Sequence, residues 1–569
     1  MLAGVLLLQS WLKANYPQVQ FGSYGVQEGE FYLDFKVEKS FSIKEFEQLE
    51  QDLNAYFNQL NNVVQTKIDK TKSLKFFQAD PFTTTLIESI ESNSLVVTTV
   101  NEQTFWVHDL VLPLPKQGFV KLLNVSANYF LGDPTKPQLQ RLVGIFAASK
   151  EQLKSLIAAN EQKYQNDHRA IGKRLEIFTF DPLVGAGFPI WLEKGAVLKK
   201  IIGDFVHYQQ LMFGFKTVSS PVLANLELYK ISGHYVHYSE DMFPSVKLEN
   251  QMMMLRPMTC PHHCLIFKHK RRSYKELPQR FCEDSILHRF EASGGLTGLE
   301  RVRCMTLLDN HIFCRTDQIK AEIKNAFKLI QTVNNKFGFS FDRIDLALHD
   351  PNNKAKFIDN DQLWANSESQ IESVFKELNV PYKIDVGAAA FYGPKIDFQF
   401  KTALNKMITI ATIQLDFLLP ERFELRYFDE QSNAQTPVII HVGIVGTYER
   451  FIAALLEKTH GNLPLWMAPV QVVVIPVNID KHEKAAKKLY QKLLKENIRV
   501  SLDESEDRLG KKVRTAIVNK IPLQIIVGDK EMQDLTRITC RGFKGEKVQK
   551  LYWANFVKKC VRMDRKMLL

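Results

Sequence analysis

The sequence predicts a multidomain α+β protein that closes with a small α/β unit. At 569 residues the chain is too long for one core, since a domain typically holds about 150 residues. From Val470 onward, VQVVVIPVN, HEKAAKKLYQKLLKEN, IRVSLD, LGKKVRTAIVNK and LQIIVGD form a strand, helix, strand, helix, strand series. In the middle of the chain, runs such as ITIATIQLDFLLP and PVIIHVG read as strands between turn signals and are mixed with helical pieces. The expected division is 1–165, 166–466 and 467–569.

The opening MLAGVLLLQSWL is apolar but has no basic leader and no small-residue cleavage site, so a buried helix is expected rather than a targeting segment. Phe31, Leu33, Phe35 and Val37 alternate as a half-buried strand. A helix follows from a capping box at Ser42 and Glu45, with Phe46, Leu49, Leu53, Phe57 and Leu60 on one face. The charge-rich SKEQLKSLIAANEQKYQNDHRAIGKRL predicts one exposed linker helix into the second unit. No run approaches 18 apolar residues, so no membrane partner is expected, and there is no internal repeat.

Net charge is +11, and its placement is informative. Residues 471–569 hold 23 Lys and Arg against 12 Asp and Glu, leaving 51 of each sign in the rest of the chain. A polyanion partner for the last unit is the expectation; a merely Lys-rich soluble surface is the bland alternative. Seven scattered cysteines make no disulfide framework and point to a reducing cytoplasm.

The segment LHRFEASGGLTGLERVRCMTLLDNHIFC, 287–314, sets Arg289, Glu291, Arg301 and Arg303 around a Gly-rich turn. Guanidinium forks match phosphate geometry, and neither a P-loop nor a GxGxxG motif is present to do that work. A hairpin dotted with surface arginines is the competing reading. In GIVGTYERF, 443–451, the glycines permit close backbone approach and a helix would project Arg450 from its first turn. CPHHC alone suggests a local zinc knot using His262, His263 and Cys264, but no second ligand pair stands at the usual spacing.

Together these segments resemble class II aminoacyl-tRNA synthetases. Arg289-Phe290-Glu291 is similar to the second signature motif, Gly443 to Arg450 to the third, and PVLANLELYKISGH, with Pro221, to the first, which builds the family's homodimer interface. The resemblance implies an antiparallel-sheet catalytic domain that takes ATP with Mg2+. Arg289 would hold the α-phosphate, Glu291 the adenine amino group, and Arg450 the bent triphosphate, with Arg301, Met305 and Gln414 also at ATP. Fixed cations facing charge that builds on phosphorus need no protein general base.

The segments around Cys260, His311 and His441, 51 and 130 residues apart, are similar to the threonyl-tRNA synthetase family, in which one Cys and two His hold one zinc per subunit. The resemblance implies L-threonine and tRNA(Thr) as substrates. Three protein ligands leave a position for substrate, and a metal that requires a hydroxyl rejects valine. Met258, Asp309, Tyr392 and Lys395 match the family's pocket, and His234 matches a proposed base for the tRNA 3′-hydroxyl, with an exposed loop histidine as the alternative. Departures are Leu307 and Thr409 in place of glutamines, Thr447 in place of serine, and Met305 in place of an aromatic. In the last unit Glu531 and Arg541 match anticodon-reading positions, and Glu506 stands where the family has asparagine.

Residues 1–165, together with DHRAIGKRL, resemble the family's editing domain, which hydrolyses seryl-tRNA. The family's HxxxH falls on Leu2 and Leu6, and its CxGPH on Asp109 and Pro113, while His108 is the only histidine before residue 167. The expectation is an editing-like fold without hydrolysis and without a preceding ubiquitin-like domain. A catalytically silent RNA-binding protein and a proline- or serine-specific relative are the competing readings.

Overall fold

The computed structural model describes the chain except residues 28, 61, 108, 109, 111, 134, 135, 355, 358, 403–405, 543–548 and 567–569. It divides into two compact units, Met1–Gln165 and Asn166–Leu569.

In the first unit the opening residues form a helix, Leu2–Asn15, whose Val5, Leu6, Leu7, Leu8 and Leu12 are fully buried. It packs on a four-stranded antiparallel sheet in the order Gln20–Gln27, Glu30–Lys36, Gln138–Ala147, Phe119–Tyr129. Phe31, Leu33 and Phe35 point into this core, and Phe46, Leu49, Leu53 and Phe57 of helix Phe46–Phe57 close it. Gly4 and Gly144 clasp the Phe31 ring, since a Cβ on either would sit within 2.8 Å of it. The Ser42 amide donates to Glu45 at 2.8 Å, as the capping box requires.

The expected single linker helix is broken. One helix spans Lys150–Gln165 and another His168–Leu175. Asp167 interrupts them because its carboxylate caps the second helix, accepting from the Arg169 amide at 2.7 Å. Ile171 and Leu175 then bury in the second unit's core. DHRAIGKRL therefore belongs to the second unit and not, as expected, with residues 1–165.

The second unit is built on an eight-stranded sheet ordered Lys216–Thr217, Gln279–His288, Cys304–Cys314, Val438–Thr447, Met407–Asp416, Lys395–Lys401, Arg343–Leu348, Lys383–Val386. All inner pairings are antiparallel and both edge pairings parallel. Helix Ile319–Lys336 buries Ile323, Phe327 and Ile330 in the same core as Ile440 and Val442 of the central strand, leaving the opposite sheet face for chemistry. Toward the C-terminus lies a five-stranded sheet, Val500–Leu502, Val472–Pro476, Leu523–Val527, Arg537–Gly542, Gln549–Tyr552. Its first three strands are parallel, as the alternating pattern predicts, and two antiparallel strands follow that the sequence pattern does not predict.

Candidate active site

Strand register explains how residues 51 and 130 apart come together. His311 lies directly opposite His441, His441 opposite Gln414, and Gln414 opposite Lys395, so four predicted residues form one row across four adjacent strands. Directly paired residues share a face of the sheet. Cys260, at the start of helix Cys260–Lys268, completes the group from above. The ligand atoms of Cys260, His311 and His441 all lie within 4.8 Å of one another, and all three residues are buried. The local knot does not form. His263 sits behind His311, and Cys264 is buried in an apolar cluster with Phe267 and Leu419.

Hydrogen bonds fix the imidazole tautomers. His441 Nε2 is 2.9 Å from Asp416 Oδ2, so it carries the proton and Nδ1 is left with a lone pair. On the other side, burial alone would raise the Glu283 carboxyl, yet hydrogen bonds from His263, Ser220 and Arg256 outweigh it and hold Glu283 at about 2. Glu283 is thus an ionised acceptor for His263 Nε2–H at 3.2 Å. His263 Nδ1 then accepts from His311 Nδ1–H at 2.8 Å, leaving a lone pair on His311 Nε2. As neutral rings, His311 Nε2 and His441 Nδ1 confront each other as two lone pairs 2.9 Å apart. That contact calls for a cation between them, a proton or a metal, and the Cys260 sulfur converging on the same point favours a metal.

A cavity of about 540 Å3 opens beside this cluster, with Met258, Asp309, Tyr392 and Thr447 in its wall. Tyr392 donates to Gln414 Oε1 at 2.7 Å and its ring stacks on His441, while Lys395 pairs with Asp397 at 2.6 Å. Thr447 caps helix Tyr448–Thr459, accepting from the Arg450 amide. Met305, Leu307 and Thr409 also line the cavity, so the departures from the family pattern fall at the site itself.

Arg289 and Arg450 both line the cavity. Arg450 contacts only carbonyl oxygens, of Glu300 at 3.2 Å and Thr409 at 3.4 Å, and Arg289 contacts the Pro257 carbonyl and the Met258 sulfur. Among the described residues neither has a carboxylate partner. Burial, then the nearby Arg289 charge, pulls Arg450 below its usual range. Two close guanidinium groups without acidic partners make a site for a polyanion. Glu291 and Arg301 do not line the cavity; they are joined to each other by an ion pair of 2.6 Å. Lys356, which no sequence motif marks, also lines the cavity.

His234 is fully buried, which removes the exposed-loop alternative. Its Nδ1 lies 2.8 Å from Ser232 Oγ and its Nε2 3.6 Å from Cys260 Sγ. Burial, then His441 and the Arg289 and Arg422 charges, lower it to about 3, so it is neutral at neutral pH.

The remaining predicted positions are elsewhere. Glu531 caps its own helix, accepting from the Gly528 amide and the Thr539 hydroxyl, and Arg541 stands opposite Gln524 on strand Arg537–Gly542. Glu506 is exposed in the segment before helix Leu509–Val518. In the first unit Leu2 and Leu6 pack in the apolar core. His108 and Asp109 lie outside the described residues.

Residues 245–459 match the tRNA synthetase class II core domain (G, H, P, S and T), and residues 471–563 match an anticodon binding domain. The threonine–tRNA ligase of Mycoplasma genitalium is 66% identical over 99% of this chain and 100% of its own length. That of Mycoplasmoides gallisepticum is 46% identical over 97% of this chain and 98% of its own. Among solved structures, the RNA binding domain of threonyl-tRNA synthetase from Cryptosporidium parvum superposes with a TM-score of 0.66 at 34% identity, over 70% of this chain and 98% of that one.

Proposed function

Because this chain belongs to the threonine–tRNA ligase family of class II aminoacyl-tRNA synthetases, we propose that the row from His311 to Lys395, with Cys260 above it, is a zinc-dependent site for threonine. The chain catalyses ATP-dependent ligation of threonine to tRNA(Thr), a class reaction that uses ATP with Mg2+. The competing reading as a catalytically silent RNA-binding protein is not favoured.

The carrying observation is the confrontation of His311 Nε2 and His441 Nδ1 at 2.9 Å beside Cys260. A zinc ion bound there, one per subunit, would offer its open position to the amino group and β-hydroxyl of L-threonine. Asp309, Met258, Tyr392 and Thr447 shape the pocket for that amino acid. Arg289 meets the α-phosphate, and its fixed charge opposes the negative charge that builds there as the threonine carboxylate attacks. Arg450 lies along the triphosphate, and Met305 and Gln414 border the nucleotide. Glu291 turns from Arg301 to the adenine amino group, freeing Arg301 for phosphate. Lys395 supplies a further cation at the reacting end, and His234 orients the tRNA 3′-hydroxyl. Elemental analysis tests the metal. About one zinc per subunit is expected in the native chain and almost none in Cys260→Ala, whereas equal zinc in both would refute the assignment.

The three parts of the chain divide the work. Residues 166–466 activate and transfer threonine. Residues 467–569 bind the anticodon, with Glu531 and Arg541 as base-reading side chains and the +11 charge drawing the phosphates. Residues 1–165 keep an editing-like fold without hydrolysis, a reading supported by Leu2 and Leu6 packing as core residues. Exposed Leu223 and Ile231 in the first-motif segment, with Tyr208, Leu211 and Met212, support a homodimer. No helix among the described residues is long and apolar enough to cross a membrane. Buried thiols at Cys260, Cys264 and Cys314 fit a reducing cytoplasm.

A further inference from the structure

His168 lies outside the cavity and takes no part in the chemistry assigned above, yet it is fully buried and uses both ring nitrogens. Its Nε2 is 3.0 Å from the Leu299 amide and must accept that N–H. The ring proton is therefore on Nδ1, which donates to Glu457 Oε1 at 2.8 Å. Asp167, His168 and Glu457 are close enough to hold a metal. However, the Leu299 amide takes Nε2, and Arg169 takes the Asp167 carboxylate through its amide and guanidinium at 2.7–2.8 Å. The trio is a hydrogen-bonded strut.

Both ends of the strut lead to Arg450. Glu457 follows Arg450 by two turns on helix Tyr448–Thr459, so the two share a helix face. Leu299 precedes Glu300, whose carbonyl accepts from Arg450 Nε at 3.2 Å. The path from Arg450 through Glu300, Leu299, His168 and Glu457 back to the same helix is a closed ring of short contacts. The loop is shaped for it: Gly298 has φ +46°, and a Cβ there would stand 2.2 Å from His168 Nε2.

We propose that His168 is a positioning residue for ATP, holding the loop through the Leu299 amide so that the Glu300 carbonyl aims the Arg450 guanidinium at the triphosphate. The inference rests on the reading of Arg450 as a triphosphate ligand. Loss of a contact that serves ATP alone, equally in the ground and transition states, raises the ATP KM and leaves the threonine KM unchanged.

Pyrophosphate exchange by the full-length, metal-loaded enzyme tests this with two variants. His168→Gln places an amide oxygen near the position of Nε2 and keeps the Leu299 contact. His168→Asn keeps a donor to Glu457 but falls short of Leu299. The expected result is an ATP KM raised about tenfold in His168→Asn, within about twofold of wild type in His168→Gln, and an unchanged threonine KM in both. Gly298→Ala, whose added Cβ presses the loop away from His168 Nε2, should also raise the ATP KM and guards against a His168 variant that fails to fold. An unchanged ATP KM in both His168→Asn and Gly298→Ala, or equal losses in the Asn and Gln variants, overturns the proposal. Arg450→Ala separates the two readings. If it leaves the ATP KM intact, the triphosphate assignment fails; if it raises the ATP KM while His168→Asn does not, only the role of His168 fails.

Discussion

The sequence CPHHC offers four metal donors within five residues, and only one of them enters the cluster. The helix beginning at Cys260 turns that thiol toward the sheet, sets His263 behind His311, and buries Cys264 among apolar side chains. His263 then decides which His311 nitrogen is free, as Asp416 does for His441. Outer partners of this kind typically change metal affinity about 10- to 100-fold. His263→Leu, which cannot accept the His311 proton, should therefore lose zinc at a chelator concentration at least ~10-fold lower than the native chain requires. Chelator resistance equal to wild type would remove His263 from the site. The three proposed ligands are legible in the sequence through family resemblance, but Asp416, His263 and Glu283 are not. Their roles depend on the pairing of strands distant in sequence, and nothing local distinguishes them from ordinary buried polar residues. Lys356 is hidden for the same reason.

Local signals place the elements well where one rule dominates. Alternation places strand Glu30–Lys36, a capping box the helix after Ser42, and helix periodicity Ile479–Lys495. In the linker, high charge density masks a cap at Asp167, where a polar residue that tolerates helix interiors poorly starts a new helix instead. The antiparallel strands Arg537–Gly542 and Gln549–Tyr552 are not legible in the sequence because each is short and carries few apolar residues. Packing at Gly144 also has no local signature, since it depends on the Phe31 ring from another strand and on the Lys121 carbonyl, which would stand 2.9 Å from a Cβ added there. Gly144→Ala should destabilise the first unit by about 1–3 kcal/mol through overpacking. Urea unfolding followed by limited proteolysis of residues 1–165 measures this, with threonine-dependent pyrophosphate exchange expected to stay within about twofold of wild type. Unaltered unfolding would mean that the ring has room to move.

At the scale of the whole molecule, the chain, on the proposed reading, separates activation from proofreading. Threonine and serine differ by one methyl group, worth about 1–3 kcal/mol and hence ~10- to 200-fold discrimination. Leu2 and Leu6 pack in an apolar core, which supports the proposal that the first unit does not hydrolyse seryl-tRNA. The enzyme should accumulate seryl-tRNA(Thr) when given serine and should leave preformed seryl-tRNA(Thr) intact over the time of aminoacylation; rapid deacylation would restore an editing function to residues 1–165. Valine, with no hydroxyl for the metal, should be rejected without editing. The most direct test of a zinc-dependent threonine site is pyrophosphate exchange with threonine, serine and valine before and after zinc is removed and restored. Strong exchange with threonine, weaker exchange with serine and none with valine are expected, with loss of the threonine signal on stripping and recovery when zinc returns. Undiminished threonine-dependent exchange from metal-free protein would contradict a zinc-dependent site.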